Sequence, residues 1–172
     1  MSLGGNARLT TLDLAKEDMK FSAGHFTIFS ATERERLHGH NFTVSVSLAS
    51  AVGEDGLAVD YGIYKRKIVE FCREWNEFFL MPGRSPHLRY EEAGKHLRFR
   101  FAGEEFELLR SDVLVLPICN VTLEEMAPLF LDKLLAFRNA SQHHQLVAIT
   151  VRIFSGPGQS ASATWPAASI QS

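Results

Sequence analysis

Three histidines form the pattern in this sequence with the clearest chemical potential. His38 and His40 flank a glycine at the start of the run 41–48, in which apolar and polar residues alternate as in a half-buried strand. Residues two apart on a strand point to the same side, so both imidazoles can reach one point. His25 lies thirteen positions before His38, a separation that a hairpin closes readily. Three neutral imidazoles on paired strands are the ligand set of an open tetrahedral zinc site. The alternative is a metal-free cluster of hydrogen-bonded histidines at the end of a sheet.

Two amphipathic helices are predicted to support these strands. Asp60 is well placed to cap a helix over 63–78, where apolar residues recur at intervals of three and four. Residues 122–125 have the capping-box pattern Thr-Leu-Glu-Glu, which predicts the start of a second helix that runs through Phe137.

The rest of the chain favours extended structure. Segment 9–29 alternates in a way that suits strands, and 145–154 is a last apolar strand followed by a Ser/Ala-rich tail. Segment 86–109 contains three short extended pieces and resembles an inserted hairpin. Together these elements predict an α+β domain whose antiparallel sheet carries two helices on one face.

Composition bounds the class of protein. The chain has 172 residues, 45% of them hydrophobic, which fits a single domain over 1–172 with disordered ends at 1–7 and 167–172. Eighteen Lys and Arg against twenty Asp and Glu give no basic excess, which argues against a nucleic-acid or anionic-membrane partner. Two cysteines far apart encode no disulfide framework, and no apolar run is long enough to cross a membrane. We therefore expect a cytoplasmic protein.

Four short motifs, spread over almost the whole chain, carry a family resemblance. They are Phe21-Ser22-Ala23-Gly24-His25, Leu37-His38-Gly39-His40-Asn41-Phe42, Gly56-Leu57-Ala58-Val59-Asp60-Tyr61 and Thr122-Leu123-Glu124-Glu125-Met126-Ala127. The sequence resembles the 6-pyruvoyl-tetrahydropterin synthase and 6-carboxytetrahydropterin synthase (QueD-like) family. The resemblance implies the T-fold, in which a four-stranded antiparallel sheet has two helices between its second and third strands. It further implies a homo-oligomer, either a trimer or a hexamer of two trimers, with a pterin pocket at a subunit interface. It also implies zinc held by His25, His38 and His40.

One branch of this family is more similar to the chain than the others. No cysteine lies between His25 and His38, so the thiol base of the standard synthases is absent, and Glu35 stands shortly before the His-Gly-His pair instead. The branch with a glutamate there cleaves the side chain of dihydroneopterin triphosphate to 6-hydroxymethyl-7,8-dihydropterin. The resemblance makes Glu35 the candidate catalytic base. The alternative is a solvated charge within the charged run 33–36.

Other positions depart from the family pattern. The family's proton-relay pair after the first helix is replaced by Asn76 and Glu77, which leaves Glu77 as a candidate acid or as an exposed residue at a helix end. Ser155 occupies the position of a ring-binding glutamate and lacks its charge. Thr122 and Glu124 are candidate contacts to a heterocycle, or they cap only their own helix.

The sequence therefore predicts a zinc-dependent enzyme that handles a small pterin-like substrate, with lyase or aldolase chemistry on its side chain. The alternative, favoured by the departures, is a family member that keeps the zinc and the pocket and binds a pterin-like or purine-like ligand without turnover.

Overall fold

The computed structural model describes residues 8–141 and 145–166. The predicted disorder of 1–7 and 167–172, and the pair His143-His144, lie outside these residues. The described elements, in chain order, are β1 (Leu9–Leu14), β2 (Lys20–His25), β3 (His38–Ala51), α1 (Tyr61–Trp75), β4 (Phe78–Pro82), β5 (Arg89–Ala93), β6 (His96–Phe101), β7 (Glu104–Leu109), β8 (Val113–Leu116), α2 (Leu123–Ala140), β9 (Leu146–Gly156) and β10 (Gln159–Trp165).

The centre of the main sheet is β3, the longest strand. Its first part pairs with β2 and its second part pairs with β1, both antiparallel, while β9 pairs antiparallel along its other side and β10 follows β9. Because β2 and β1 together occupy one strand position, this part of the sheet has four antiparallel positions. Both helices fall between β3 and β9 and pack on one face of the sheet. The predicted α+β class is confirmed.

The sheet extends beyond the four antiparallel positions, and a purely antiparallel sheet was therefore the wrong prediction at this edge. β4 runs parallel to β2, and β8 runs parallel to β4. Helix α1 ends at Trp75 rather than Phe78, because Glu77 adopts a φ of 65° and its N–H donates to the carbonyl of Ser22 at 2.7 Å. The chain changes direction at this contact, and the apolar residues after Glu77 form a new strand beside β2.

The three extended pieces predicted in the insertion form a three-stranded antiparallel sheet, β5-β6-β7, which is one strand more than a hairpin. Leu97, Phe99 and Phe101 alternate along β6 and are buried in a second hydrophobic core beneath it. The outward residues Arg98 and Arg100 carry an ion-pair network with three glutamates. The glutamates are Glu91, Glu105 and Glu107.

The final strand was also missed. The Ser/Ala-rich tail forms β10, whose residues 160–165 pair one by one with β9, and the Arg138 guanidinium lies 4.4 Å from the centre of the Trp165 ring. Serine and alanine have little intrinsic strand preference, so the pairing comes from the neighbouring strand rather than from local propensity.

The two helix starts differ from each other in their capping. Asp60 caps α1 as predicted, since its side chain accepts a hydrogen bond from the Gly62 N–H at 2.9 Å. Thr122 stands at the N-cap of α2, but its hydroxyl makes no capping bond, and Glu125 accepts from the Cys119 N–H at 3.2 Å. The predicted capping box is therefore wrong in its hydrogen bonds. Among the described residues, no helix is both long and apolar enough to span a membrane.

Replacing Phe130 with alanine should destabilise the domain by about 3–5 kcal/mol, because a fully buried ring would leave a cavity. Phe130 is 0% exposed and makes edge contacts with Phe71 and Trp75, at centroid distances of 5.8 and 5.6 Å. Urea unfolding of the two proteins measures the change. Leu57→Ala, at a side chain 70% exposed, is the control and should stay within about 0.5 kcal/mol of wild type. An equally small change for Phe130→Ala would contradict the packing.

Candidate metal centre and its cavity

The strand register brings the three histidines together. His25 at the end of β2 lies directly opposite His38 at the start of β3, and His40 lies opposite Ala23. The ring centroids are 4.6 Å apart for His25 and His38, 4.9 Å for His38 and His40, and 5.2 Å for His25 and His40. The predicted convergence of three imidazoles is confirmed.

Backbone carbonyls orient two of the rings. His25 Nδ1 lies 3.0 Å from the carbonyl oxygen of Val121, and His38 Nδ1 lies 2.7 Å from the carbonyl oxygen of Arg36. A carbonyl can only accept, so each Nδ1 must carry the proton that it donates. In the neutral ring the lone pair is then on Nε2. This orientation of a histidine by a backbone oxygen is typical of metal ligands.

The remaining nitrogens fit a cation. His38 Nε2 and His40 Nε2 are 3.1 Å apart, and one nitrogen from each of the three histidines lies within 4.8 Å of the others. The buried His25 Nε2 has no hydrogen-bond partner among the described residues. In a tetrahedral zinc site each nitrogen lies about 2.0–2.1 Å from the ion, which gives distances between the nitrogens similar to those of this cluster. The cluster could therefore hold a metal ion, which would also satisfy the unpaired nitrogen.

The charge state of His25 suits this role. Its side chain is 7% exposed, and burial lowers its pKa below the usual value, an effect that the neighbouring His38 and His40 reinforce. The hydrogen bond to Val121 and the nearby Glu35 act in the opposite direction but are weaker. His25 is therefore neutral near pH 7, as a metal ligand must be.

Glu35 lies beside the histidines. Its Oε2 accepts a hydrogen bond from the Thr27 N–H at 2.8 Å and lies 3.9 Å from His38 Nε2. Burial raises the pKa of Glu35, but the hydrogen bond from Thr27 and the adjacent histidines outweigh it, so that the pKa falls below its usual value. The carboxylate is ionised near neutral pH and can accept a proton. Glu35 is thus held in place and is more than a solvated surface charge.

Most of the predicted site residues line one cavity. Thr122, Glu124 and Ser155 share with Glu35 and the three histidines a cavity of about 470 Å³, formed by the ends of β2, β3 and β9 with the start of α2. The Ser155 hydroxyl donates to Gln159 Oε1 at 3.1 Å, and Gln159 lines the same cavity. A neutral pair of polar groups therefore stands where the family resemblance implies a carboxylate.

Glu77 is the exception. It lines a different cavity of about 450 Å³, together with His40, Asn41 and Asp112. The neighbouring Asn76 accepts a hydrogen bond from the Ser22 N–H at 2.9 Å and so serves the chain reversal after α1. The structure does not bring Glu77 to the histidine cavity of its own chain, and its catalytic role stays a prediction.

Three residues that the sequence did not single out help to build the site. Val121 contributes only its carbonyl oxygen, which no sequence pattern reveals. Asn120 accepts from the N–H groups of Ile28 and Val121 and donates to the Ile28 carbonyl, so it joins the start of α2 to the loop after β2. Phe29 lies at the cavity wall and is 65% exposed.

Known proteins resemble the chain over most of its length. The family described as 6-pyruvoyl tetrahydropterin synthase matches residues 14–165. A Methanocaldococcus jannaschii protein named "Putative 6-carboxy-5,6,7,8-tetrahydropterin synthase" is 28% identical over 144 residues, which are 83% of this chain and 88% of that protein. The family match covers well over half of the sequence.

Solved structures share the fold. The 6-pyruvoyl tetrahydropterin synthase of Plasmodium vivax superimposes with a TM-score of 0.86 at 24% identity, covering 91% of this chain and 98% of the other. The Plasmodium falciparum enzyme gives a TM-score of 0.85 at the same identity and covers 91% and 97%. These likenesses confirm the predicted T-fold. From its sequence match together with its fold, the chain belongs to the 6-pyruvoyl tetrahydropterin synthase family.

Proposed function

We propose that this protein is a zinc-dependent lyase or aldolase that acts on the side chain of a dihydroneopterin-type substrate. The observation that carries the proposal is the presence of three converging imidazoles and the ionised carboxylate of Glu35 in a single cavity. This donor set suits zinc, and a carboxylate beside it suits proton transfer.

Each group has a distinct task. His25, His38 and His40 would hold the zinc, which when bound supplies Lewis acidity toward side-chain oxygens. Glu35 takes the proton from a side-chain hydroxyl as the neighbouring carbon–carbon bond breaks. The hydroxyl carbon becomes a carbonyl, and the electron pair of the broken bond stays on the carbon attached to the ring, which takes up a proton to give the hydroxymethyl group. Two solved structures are of the Plasmodium vivax synthase with a catalytic glutamate replaced by alanine or by cysteine, so a carboxylate is important in that protein. This supports the choice of Glu35.

The other cavity residues would hold the heterocycle. Glu124, exposed at the start of α2, can accept from ring N–H groups, and Thr122 and Ser155 can donate or accept. Since Ser155 and Gln159 are neutral, we expect weaker binding of the pterin ring than a carboxylate would give.

A homo-oligomer, either a trimer or a hexamer, would complete the site. The outer edge of β10 has no strand partner among the described residues, and Gln159, Ser160 and Ala161 of this strand line the histidine cavity. An unpaired edge favours association with another copy, which would enclose the cavity. Glu77 of a second copy then remains a candidate acid.

The two cysteines, Cys72 and Cys119, form no disulfide, which supports the proposed cytoplasmic location.

Binding without turnover is the second candidate function. It is favoured by the replacement of the family's proton-relay pair, because Asn76 is engaged with Ser22 and Glu77 does not line the cavity that contains Glu35 and the three histidines. Such a protein would bind zinc and a pterin-like or purine-like ligand without changing it.

Zinc content tests the metal centre. Purified wild-type protein should contain stoichiometric zinc, and His38→Ala should abolish it, because two remaining imidazoles cannot hold the ion as three do. Metal analysis by mass spectrometry measures this. His87→Ala is the matched control, since His87 lies outside the cluster, and should retain zinc. Unchanged zinc in His38→Ala would refute the three-histidine site.

Substrate turnover tests the reaction. Zinc-loaded protein incubated with dihydroneopterin triphosphate should form 6-hydroxymethyl-7,8-dihydropterin, which fluorescence detection after chromatography distinguishes from a pyruvoyl product. Measurable binding with no product would overturn the enzyme proposal for this substrate and favour the binding function.

Glu35→Gln tests the base. The amide cannot accept the proton, so kcat should fall by about 10²–10⁴-fold while zinc content stays unchanged. Steady-state kinetics measure the loss. Glu33→Gln, two residues earlier on an exposed side chain, should keep the wild-type rate. Wild-type turnover by Glu35→Gln would remove Glu35 from the mechanism.

A further inference from the structure

Segment 26–37, which joins β2 to β3, carries Glu35 and folds back on itself. The Glu35 N–H donates to the Thr27 carbonyl and the Thr27 N–H donates to the Glu35 carboxylate, both at 2.8 Å. The next residues, Ile28 and Arg34, form an isolated antiparallel bridge. The position of the Glu35 carboxylate therefore depends on the contacts between the two sides of this loop.

The side chain of Arg34 joins the loop to the insertion. Its guanidinium carbon lies 5.0 Å from the ring centre of Phe26, 5.6 Å from that of Phe106 and 5.8 Å from that of Phe101. Phe101 ends β6 and Phe106 lies in β7, so two of the three rings belong to the inserted sheet. These distances are within the range of cation–π contacts.

Arg34 has no carboxylate within ion-pair distance among the described residues, in contrast to Arg98 and Arg100 on the other face of the insertion. Instead its Nη1 donates to the carbonyl oxygen of Glu35 at 2.8 Å. A planar guanidinium can present its face to aromatic rings while it donates in its plane, which neither lysine nor methionine can reproduce in full. The side chain thus connects the aromatic cluster directly to the backbone of Glu35.

We propose that Arg34 is a positioning residue through which the inserted sheet holds Glu35 against the metal centre. This inference rests on the proposed function, because it assigns Arg34 a role in the step that Glu35 carries out. It gives the insertion a function in catalysis: the insertion supplies the aromatic surface that fixes the loop.

Amide hydrogen exchange tests the anchoring without any substrate. In Arg34→Met the N–H groups of Thr27 and Glu35 should exchange roughly tenfold faster or more, because their hydrogen bonds open with the loop. The amides of Val46 and Val151 in the central strands should be unchanged. Phe106→Leu should behave like Arg34→Met, since it removes a ring from the insertion side. Arg89→Met, the same change on the exposed strand β5, is the control and should exchange as wild type. Unchanged exchange of Thr27 and Glu35 in Arg34→Met would overturn the proposal.

Steady-state kinetics distinguish a role of Arg34 in positioning Glu35 from a purely structural role. Arg34→Met should lower kcat about tenfold or more with KM changed by less than about threefold, and Arg34→Lys should recover part of the loss because it restores a cation and one donor. Zinc content should stay stoichiometric in both. Faster exchange with wild-type kcat would also overturn the proposal. If the wild-type protein fails to turn over dihydroneopterin triphosphate, the proposed function fails, and the exchange rates alone decide whether Arg34 holds the loop.

Discussion

The hydrogen bond between His25 Nδ1 and the Val121 carbonyl is the interaction on which the site depends most. It joins residues 96 positions apart in the sequence, from the end of β2 and the start of α2. It fixes the ring and leaves the lone pair on Nε2, the nitrogen that has no hydrogen-bond partner among the described residues. The second helix therefore has two functions, since it fills the core with Phe130 and Leu134 and orients His25 through the residue before its N-cap.

The histidine cluster could be predicted from the sequence because side chains alternate between the two faces along a strand. His38 and His40 lie on one face of β3, and the antiparallel pairing of β2 with β3 places His25 opposite His38. Glu35 could be named from its place before the pair, but only the structure showed that the Thr27 amide holds its carboxylate. Val121 and Arg36 orient His25 and His38 through their backbone carbonyl oxygens, which every residue type has, so the sequence could not identify them.

The errors have physical causes as well. The spacing of apolar residues predicted that the first helix runs to Phe78, and a left-handed φ at the non-glycine residue Glu77 is rare enough that no local rule predicts it. β10 consists largely of small residues with low strand propensity, so its pairing depends on β9. In both places tertiary contacts overrode the local pattern. The same unforeseen turn places Glu77 in a cavity other than the one that all three histidines line, and its catalytic role stays a prediction.

The ion-pair network on the outer face of the insertion has a consequence for assembly. Arg98 donates to Glu107, and Arg100 donates to Glu105 and Glu91, while all five side chains keep more than a third of their surface exposed to solvent. A neighbouring protein that covered this face would have to strip the hydration from five charged groups without offering them better partners. Burial of this face by a partner would therefore carry a high dehydration cost, and we expect the face to stay in contact with solvent.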